Sequence, residues 1–111
     1  MAEQVTFSDW QKLELITGKI LKVEEIDGAD KLYKLSIDLG KKDGKRTIVA
    51  GIKPYYKKDD LKGKSCIILA NLEPRKLKGI ESQGMLLAAV SEDEKEVKIL
   101  ETEGKPGSKI R

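Results

Sequence analysis

The chain has 111 residues, of which 22 are Lys or Arg and 19 are Asp or Glu, so its formal net charge is +3. This length predicts one domain with a modest core, and a hydrophobic content of 39% is sufficient for a folded protein. Because the sequence contains no His and one Cys, it excludes zinc, haem and Ser-His-Asp sites and an internal disulfide.

Neither a membrane segment nor a signal peptide is predicted. The longest apolar run, residues 66–70, is far shorter than the stretch of about 20 residues that crosses a bilayer. Residues 1–10 carry Glu3 and Asp9 and have no apolar region of the kind that a signal peptide requires. With a single Cys, a reducing compartment is the default, so we expect a cytoplasmic protein without a cofactor.

Period-two alternation dominates the first half of the chain. Apolar residues predict one strand over 13–23, with a bulge, and a second over 33–39. The turn chemistry of residues 27–30 separates them, and residues 40–44 form a second turn before a third strand over 46–52. These three strands are expected to form an antiparallel meander.

The second half predicts two more strands. Pro54 ends the third strand, and residues 55–61 form the one short helical candidate in this region. Residues 65–72 are apolar at consecutive positions and predict a strand buried on both faces. Residues 74–79 interrupt the pattern, which resumes as a fifth strand over 84–90. The sequence thus predicts an all-β, five-stranded OB-fold barrel with a short helix between strands 3 and 4.

The last 21 residues are charged but retain apolar side chains at strand spacing. These are Val97, Ile99, Leu100 and Ile110. Such a segment either packs back on the barrel or pairs with another copy of the chain. We therefore divide the chain into an N-terminal lead (1–12), a barrel (13–90) and a C-terminal extension (91–111).

Positive charge is concentrated in one segment. Residues 41–78 carry a net charge of +8, whereas residues 1–40 carry −3. A block of this sign indicates a surface that meets phosphate, since Lys and Arg gain affinity by releasing counterions from nucleic acid. A solvated Lys-rich face is the alternative interpretation.

No residues support catalysis. The pairs Asp59–Asp60 and Glu24–Glu25 are adjacent in sequence, so their side chains point in different directions and do not form a facing acid/base pair. Cys66 lies in an apolar strand without a His to activate it, and is interpreted as a buried structural thiol. The glycines match no nucleotide-binding loop.

Candidate RNA ligands lie in or beside the connection between the last two strands, a loop that OB-folds use for oligonucleotides. They are Asn71, Arg75, Lys76, Ser82 and Met85. The cations suit phosphate, the Asn and Ser suit sugar or base edges, and the Met can cover a base face. The alternative is that Asn71 caps a turn and Met85 fills the core.

Residues 71–89 resemble the signature of the tRNA-binding domain appended to methionyl-tRNA synthetases, which is also found in endothelial monocyte-activating polypeptide II and in stand-alone tRNA-binding proteins. Residues 29–33 and 49–52 match the same pattern. The first strand departs from it, because residues 15–20 lack an Arg that many members have, and this removes one possible phosphate contact.

The resemblance implies an OB-fold whose extension forms a homodimer, here through the four apolar residues of the tail. It also implies recognition of tRNA by shape, with little dependence on its sequence, in partnership with the catalytic part of a methionyl-tRNA synthetase. Lys31 and Lys53 join the candidate tRNA-binding residues. Whether the chain is a whole protein or an excised C-terminal domain stays open.

Two other functions are compatible with the resemblance. The first is a dimeric OB-fold chaperone, a protein-binding module like the bacterial export chaperone of this superfamily; the +8 segment argues against it, because a peptide groove needs exposed apolar surface. The second is a cytokine-like role, which no residue supports.

Tyr33 is interpreted as core, and Tyr55 and Tyr56 as packing the short helix on the barrel. A folded RNA therefore fits better than an extended strand stacked on aromatic residues.

Overall fold

The computed structural model describes residues 2–111, which contain three short helices and nine strands. The helices are α1 (Phe7–Gln11), α2 (Gly40–Asp43) and α3 (Lys58–Leu61). The strands are β1 (Leu15–Ile26), β2 (Ala29–Asp38), β3 (Lys45–Ala50), β4 (Ser65–Leu69), β5 (Arg75–Leu77), β6 (Ile80–Ser82), β7 (Met85–Leu86), β8 (Ala88–Val90) and β9 (Val97–Ile99).

The main sheet has five strands in the order β3-β2-β1-β4-β7, and all neighbours are antiparallel. The all-β class, the five-stranded sheet and the meander of β1, β2 and β3 are therefore confirmed. The sheet curls so that its two edges approach each other. Gln83, just before edge strand β7, donates its backbone N–H to the Thr47 carbonyl on the other edge strand, β3, at 2.8 Å. This hydrogen bond links the segment before β7 to β3.

The core lies inside this curl. Leu35 and Ile37 of β2 are fully buried, together with Ile20, Ile48 and Ile68 from the neighbouring strands. The alternation predicted for the second strand is confirmed. Strand β4 corrects the prediction of burial on both faces: Cys66 and Ile68 are buried, whereas Ser65, Ile67 and Leu69 are partly exposed. Buried and partly exposed residues therefore alternate along β4, as they do in a strand with one face on the core.

Helix α3 occupies the predicted position between the third and fourth strands. It is shorter than expected, because Tyr55 and Tyr56 donate their backbone N–H groups to the Ile52 carbonyl and so form a turn after Pro54. Leu61, at the end of α3, is fully buried in the core. The helix thus covers one end of the curled sheet.

The N-terminal lead folds differently from the prediction. The first strand begins at Leu15, and Leu13 is 41% exposed after helix α1. Thr6 caps this helix by accepting a hydrogen bond from the Asp9 backbone N–H at 3.0 Å. The sequence of residues 6–9, a Thr followed three positions later by an acid, is the signal that predicts such a cap.

The C-terminal extension packs on its own chain. The predicted fifth strand divides at Leu87, and its second half, β8, leaves the main sheet to pair with β9. Ile99 is 5% exposed and belongs to the core, and Val97 packs against it. Both side chains thus contact the core of their own chain, and their expected part in a dimer interface stays a prediction. Leu100 is 38% exposed.

The remaining tail follows β1. Thr17 donates its backbone N–H to the Ser108 carbonyl at 2.9 Å, and Gly107 donates to the Thr17 carbonyl at 2.9 Å. Ile110 donates to the Leu15 carbonyl at 2.8 Å and is half-buried. The tail thus pairs antiparallel with the edge of β1 that β4 leaves free, and residues 15–18 of β1 are buried at consecutive positions.

All helices formed by residues 2–111 contain five residues or fewer, and none has the length and apolarity needed to cross a membrane.

Candidate nucleic-acid interface

The connection between β4 and β7 contains a hairpin that the sequence interpretation did not predict. Strands β5 and β6 pair antiparallel through a two-residue turn, Lys78–Gly79, in which both residues have positive φ, 52° and 79°. Turns of this hand match the twist of antiparallel strands, and Gly adopts them without steric cost. The apolar pair Leu77 and Ile80 on either side of a Gly-containing dipeptide is the signal that identifies it.

The hairpin is attached to the barrel by apolar contact and by hydrogen bonds. Leu77 and Ile80 pack on a second apolar cluster, whose buried members are Ile26, Ala29 and Val49. Buried Ser82 accepts a hydrogen bond from the Val49 backbone N–H at 2.9 Å and donates one to the Gly84 carbonyl at 3.2 Å. The backbone of the hairpin is therefore fixed relative to β3.

The outer surface of the hairpin is cationic. Arg75, Lys76 and Lys78 are exposed, and none of them forms an ion pair with another residue of the range 2–111. Lys76 lies opposite Glu81 in the pairing register. Near the base of the hairpin, Met85 is 43% exposed on β7. The structure thus brings together free cations and an exposed thioether at the loop that the sequence indicated.

Two of the predicted ligands serve the fold. Asn71 accepts a hydrogen bond from the Glu14 backbone N–H at 2.9 Å and donates one to the Lys12 carbonyl at 2.6 Å, so it fastens the lead to the end of β4. Ser82 uses its hydroxyl for the hairpin attachment described above. Both side chains are thus hydrogen-bonded to backbone groups at the two ends of the loop, and Ser82 is 6% exposed.

The other two predicted lysines differ from each other. Lys31 is exposed on β2 and has no ion-pair partner in the described part of the chain. Lys53 lies 2.9 Å from Glu25, which also contacts Lys58 at 3.3 Å. The hydrogen bond from Lys53 lowers the pKa of Glu25, and the same bond raises the pKa of Lys53. The charge of Lys53 is thus already partly compensated.

Arg46 has a role that sequence reasoning missed. Its guanidinium donates to the Ala70 carbonyl at the end of β4 and, at 3.5 Å, to the Gln83 carbonyl at the base of the hairpin. It also forms an ion pair with Asp43 of α2 at 3.2 Å. Only the spacing of Asp43 and Arg46, three residues apart, hints at this pair, and no local signal indicates the long-range bonds.

Tyr33 lies in the core as predicted, whereas Tyr55 and Tyr56 bond the C-terminal extension and Tyr55 is not packed under helix α3. Tyr33 is 5% exposed and donates its hydroxyl to the Tyr56 carbonyl at 2.8 Å. The Tyr56 hydroxyl accepts from the Ile99 backbone N–H, and Tyr55, 40% exposed, donates to the Glu94 carbonyl at 3.1 Å. They therefore form no row of stacking platforms.

Cys66 and the carboxylates show no reactive arrangement. Burial raises the pKa of the Cys66 thiol to about 12, and its Sγ donates to the Gly18 carbonyl at 3.3 Å. A protonated, buried thiol is a poor nucleophile. Within residues 2–111, no three Cys, Asp or Glu side chains converge to hold a metal ion.

A family model described as "Putative tRNA binding domain" matches residues 15–109. The methionine–tRNA ligase of Pyrococcus horikoshii is 50% identical over 109 residues, which cover 98% of this chain and 15% of that protein. The corresponding enzyme of Methanocaldococcus jannaschii is 47% identical over 111 residues, covering 98% and 17%. The chain thus spans less than a fifth of the length of these curated relatives.

Solved structures of similar size share the fold. A protein from Pyrococcus horikoshii described as related to methionyl-tRNA synthetase superposes with a TM-score of 0.92 at 36% identity, covering 99% of this chain and 100% of the other. The CsaA chaperone protein from Picrophilus torridus superposes with a TM-score of 0.88 at 34% identity, covering 97% and 100%.

Proposed function

This chain belongs to the tRNA-binding domain family, and we propose that its own tRNA-binding surface is centred on the hairpin β5–β6. One observation carries the proposal: Arg75 and Lys76 are exposed and unpaired within the described chain, on a hairpin that Ser82 fixes to the barrel. Cations held on a rigid support meet phosphate without first breaking an ion pair or ordering a loop.

The chemistry of this surface favours recognition of shape over sequence. Lysine ammonium groups supply charge without direction, whereas base readout needs several bidentate groups. The chain contains one Asn and three Gln, and the amide of Asn71 is engaged with backbone groups. We assign phosphate contacts to Arg75, Lys76 and Lys31, a base-covering contact to Met85, and positioning roles to Asn71 and Ser82.

We interpret the curled sheet as an OB-fold barrel. Three observations support this interpretation: the strand order, the hydrogen bond from Gln83 to Thr47 of β3, and the helix between the third and fourth strands. The hairpin then occupies the connection between the fourth and fifth barrel strands, a position from which OB-folds hold oligonucleotides.

We propose that the domain works in partnership with the catalytic part of a methionyl-tRNA synthetase in the cytoplasm. The identity of 50% to a region that makes up 15% of such an enzyme supports this role. A tethered or associated binding module raises the effective concentration of tRNA at the active site without adding a catalytic group.

We also propose a homodimer, with a revised interface. Phe7 and Trp10 of the lead and Leu13 directly after it are 71%, 38% and 41% exposed, and they line a groove of 520 Å³ together with Ile110 of the tail. A second copy burying these side chains would remove apolar surface from water, with a gain of about 25 cal/mol per Å². Of the four residues predicted for the interface, this proposal retains Ile110.

The test of tRNA binding is the double variant Arg75→Ala/Lys76→Ala, measured by fluorescence anisotropy with labelled bulk tRNA over a salt series. Loss of two phosphate contacts should weaken binding about tenfold or more and reduce the slope of log K against log[salt] by about 2. Lys62→Ala/Lys98→Ala is the matched control, since both lysines are exposed and lie outside the hairpin. Equal binding by the two variants would contradict the proposal.

A chaperone function is the second candidate, because the CsaA structure is similar over nearly the whole chain and the lead exposes apolar side chains. Competition between bulk tRNA and an unfolded polypeptide distinguishes the two functions. Displacement of bound tRNA by the polypeptide at equal concentration would favour the chaperone, and its failure to displace would favour RNA.

A further inference from the structure

A groove of 980 Å³ lies between α2 and the loop of the C-terminal tail, apart from the hairpin surface. Lysines from two segments that are distant in sequence line it. They are Lys41 and Lys42 of α2, Lys45 at the start of β3, and Lys105 and Lys109 of the tail. Segments that are 60 residues apart in sequence thus contribute to one cationic surface.

The two walls of the groove, α2 and the tail, come into close contact at two glycines. Gly40 and Gly107 have positive φ, 89° and 90°. A methyl group at Gly40 would lie 2.8 Å from the Pro106 carbonyl oxygen, and one at Gly107 would lie 3.1 Å from the Leu39 carbonyl oxygen. Because Gly107, Ser108 and Ile110 of the tail are also hydrogen-bonded to β1, the walls hold a fixed spacing.

The five lysines of the groove are not engaged in ion pairs with described residues of the chain. Of the three carboxylates that line the groove, Asp43 is paired with Arg46, and Asp38 accepts a hydrogen bond from the Gly40 backbone N–H at 2.9 Å. The groove therefore carries an excess of positive charge.

One hydrogen-bonded side chain, Arg46, links the groove to the base of the hairpin. Arg46 connects Asp43 of α2 to the carbonyls of Ala70 and Gln83, where the hairpin connection leaves and rejoins the sheet. Glu14, which lines the groove, is held by Asn71 at the same point. A large ligand that contacts the hairpin thus has the groove beside it.

We propose that this groove is a second phosphate-binding surface, against which the backbone of the same folded RNA lies when the hairpin is engaged. The proposal rests on the tRNA binding proposed above. Five lysines in a rigid, wide groove suit a polyanionic backbone, because ammonium groups neutralise phosphate without demanding one geometry. The tail is thereby part of the RNA surface, in addition to its packing on the barrel.

The experiment compares three variants in anisotropy titrations with labelled bulk tRNA over a salt series. The groove variant is Lys41→Gln/Lys45→Gln/Lys105→Gln, and the control is Lys62→Gln/Lys95→Gln/Lys98→Gln, which removes the same charge from exposed positions elsewhere. The third is Arg75→Ala/Lys76→Ala. The groove variant should bind about tenfold or more weakly and lose about 2 to 3 from the salt slope, whereas the control should stay close to the unaltered protein.

The outcomes separate the two proposals. If the unaltered protein shows no salt-dependent tRNA binding, the proposed function fails. If the hairpin variant binds weakly while the groove variant binds as the control does, the groove proposal is overturned and the hairpin proposal stands. Thermal unfolding of each variant, followed by circular dichroism, identifies any loss of binding that comes from loss of structure.

Discussion

The two ends of the chain are both polar segments with spaced apolar residues, but these residues are buried in one segment and exposed in the other. Val97 and Ile99 of the tail pack on the core of their own chain. Phe7 and Trp10 of the lead remain exposed on a five-residue helix that buries none of its residues. The tail forms strand β9 and pairs with β8, whereas the described part of the lead forms a short helix and no strand. Apolar spacing in a charged segment therefore shows that burial is needed but does not identify the surface that provides it.

The largest effect expected from this comparison is on folding, through the tail. Ile99→Ala should lower the free energy of unfolding by about 2–5 kcal/mol, because it removes a side chain from the core and leaves a cavity. Leu100→Ala, one position further and 38% exposed, is the matched control and should cost far less. Urea denaturation measures both, and equal losses would break the distinction between buried and exposed tail residues.

A smaller effect on folding, with a separate effect on assembly, is expected from the lead. Trp10→Ala should change the free energy of unfolding of the monomer by no more than about 0.5 kcal/mol, because the residue packs on no core cluster. The same change should shift the chain from dimer to monomer in sedimentation experiments. An unchanged dimer would place the interface elsewhere, and a large loss of stability would show that the lead is part of the folding unit.

The smallest effect is a pH dependence in the tail. Asp93, in the turn between β8 and β9, accepts a hydrogen bond from the Ser91 hydroxyl at 2.7 Å and one from the Lys95 backbone N–H at 3.1 Å, which lower the pKa of its carboxyl below 3.8. Because the pKa is depressed in the folded state, the stabilisation is present above the ordinary pKa and is lost as the pH falls through the folded one. Ser91→Ala should move the pKa back towards 3.8 in an NMR titration, and no shift would exclude the Ser91 bond as its cause.

Several features of the fold follow from sequence because they depend on single residues and their spacing. Leu35 and Ile37 alternate with polar neighbours, and both are fully buried. Strand β3 ends at Ala50, two residues earlier than predicted, and Pro54 lies in the turn that follows, where its ring prevents the strand from resuming. Such local rules were sufficient for the meander and the helix that follows it.

The features that were missed depend on contacts distant in sequence. Ser82 is buried because its hydroxyl meets the backbone of Val49, 33 residues earlier, and nothing near Ser82 indicates that partner. Lys105 and Lys109 lie in a segment whose net charge is slightly negative, so arithmetic along the chain assigned the positive surface to residues 41–78 alone. Their role appears when the Gly40–Gly107 contact brings the tail beside α2.

The position of Trp10 gives the protein a built-in optical reporter. It is the only tryptophan in the chain, and it lies 38% exposed in the groove between the lead and the tail, whereas Tyr33 lies in the core. Tryptophan emission therefore follows the environment of the lead. Association through this groove can thus be observed by fluorescence in an unlabelled sample.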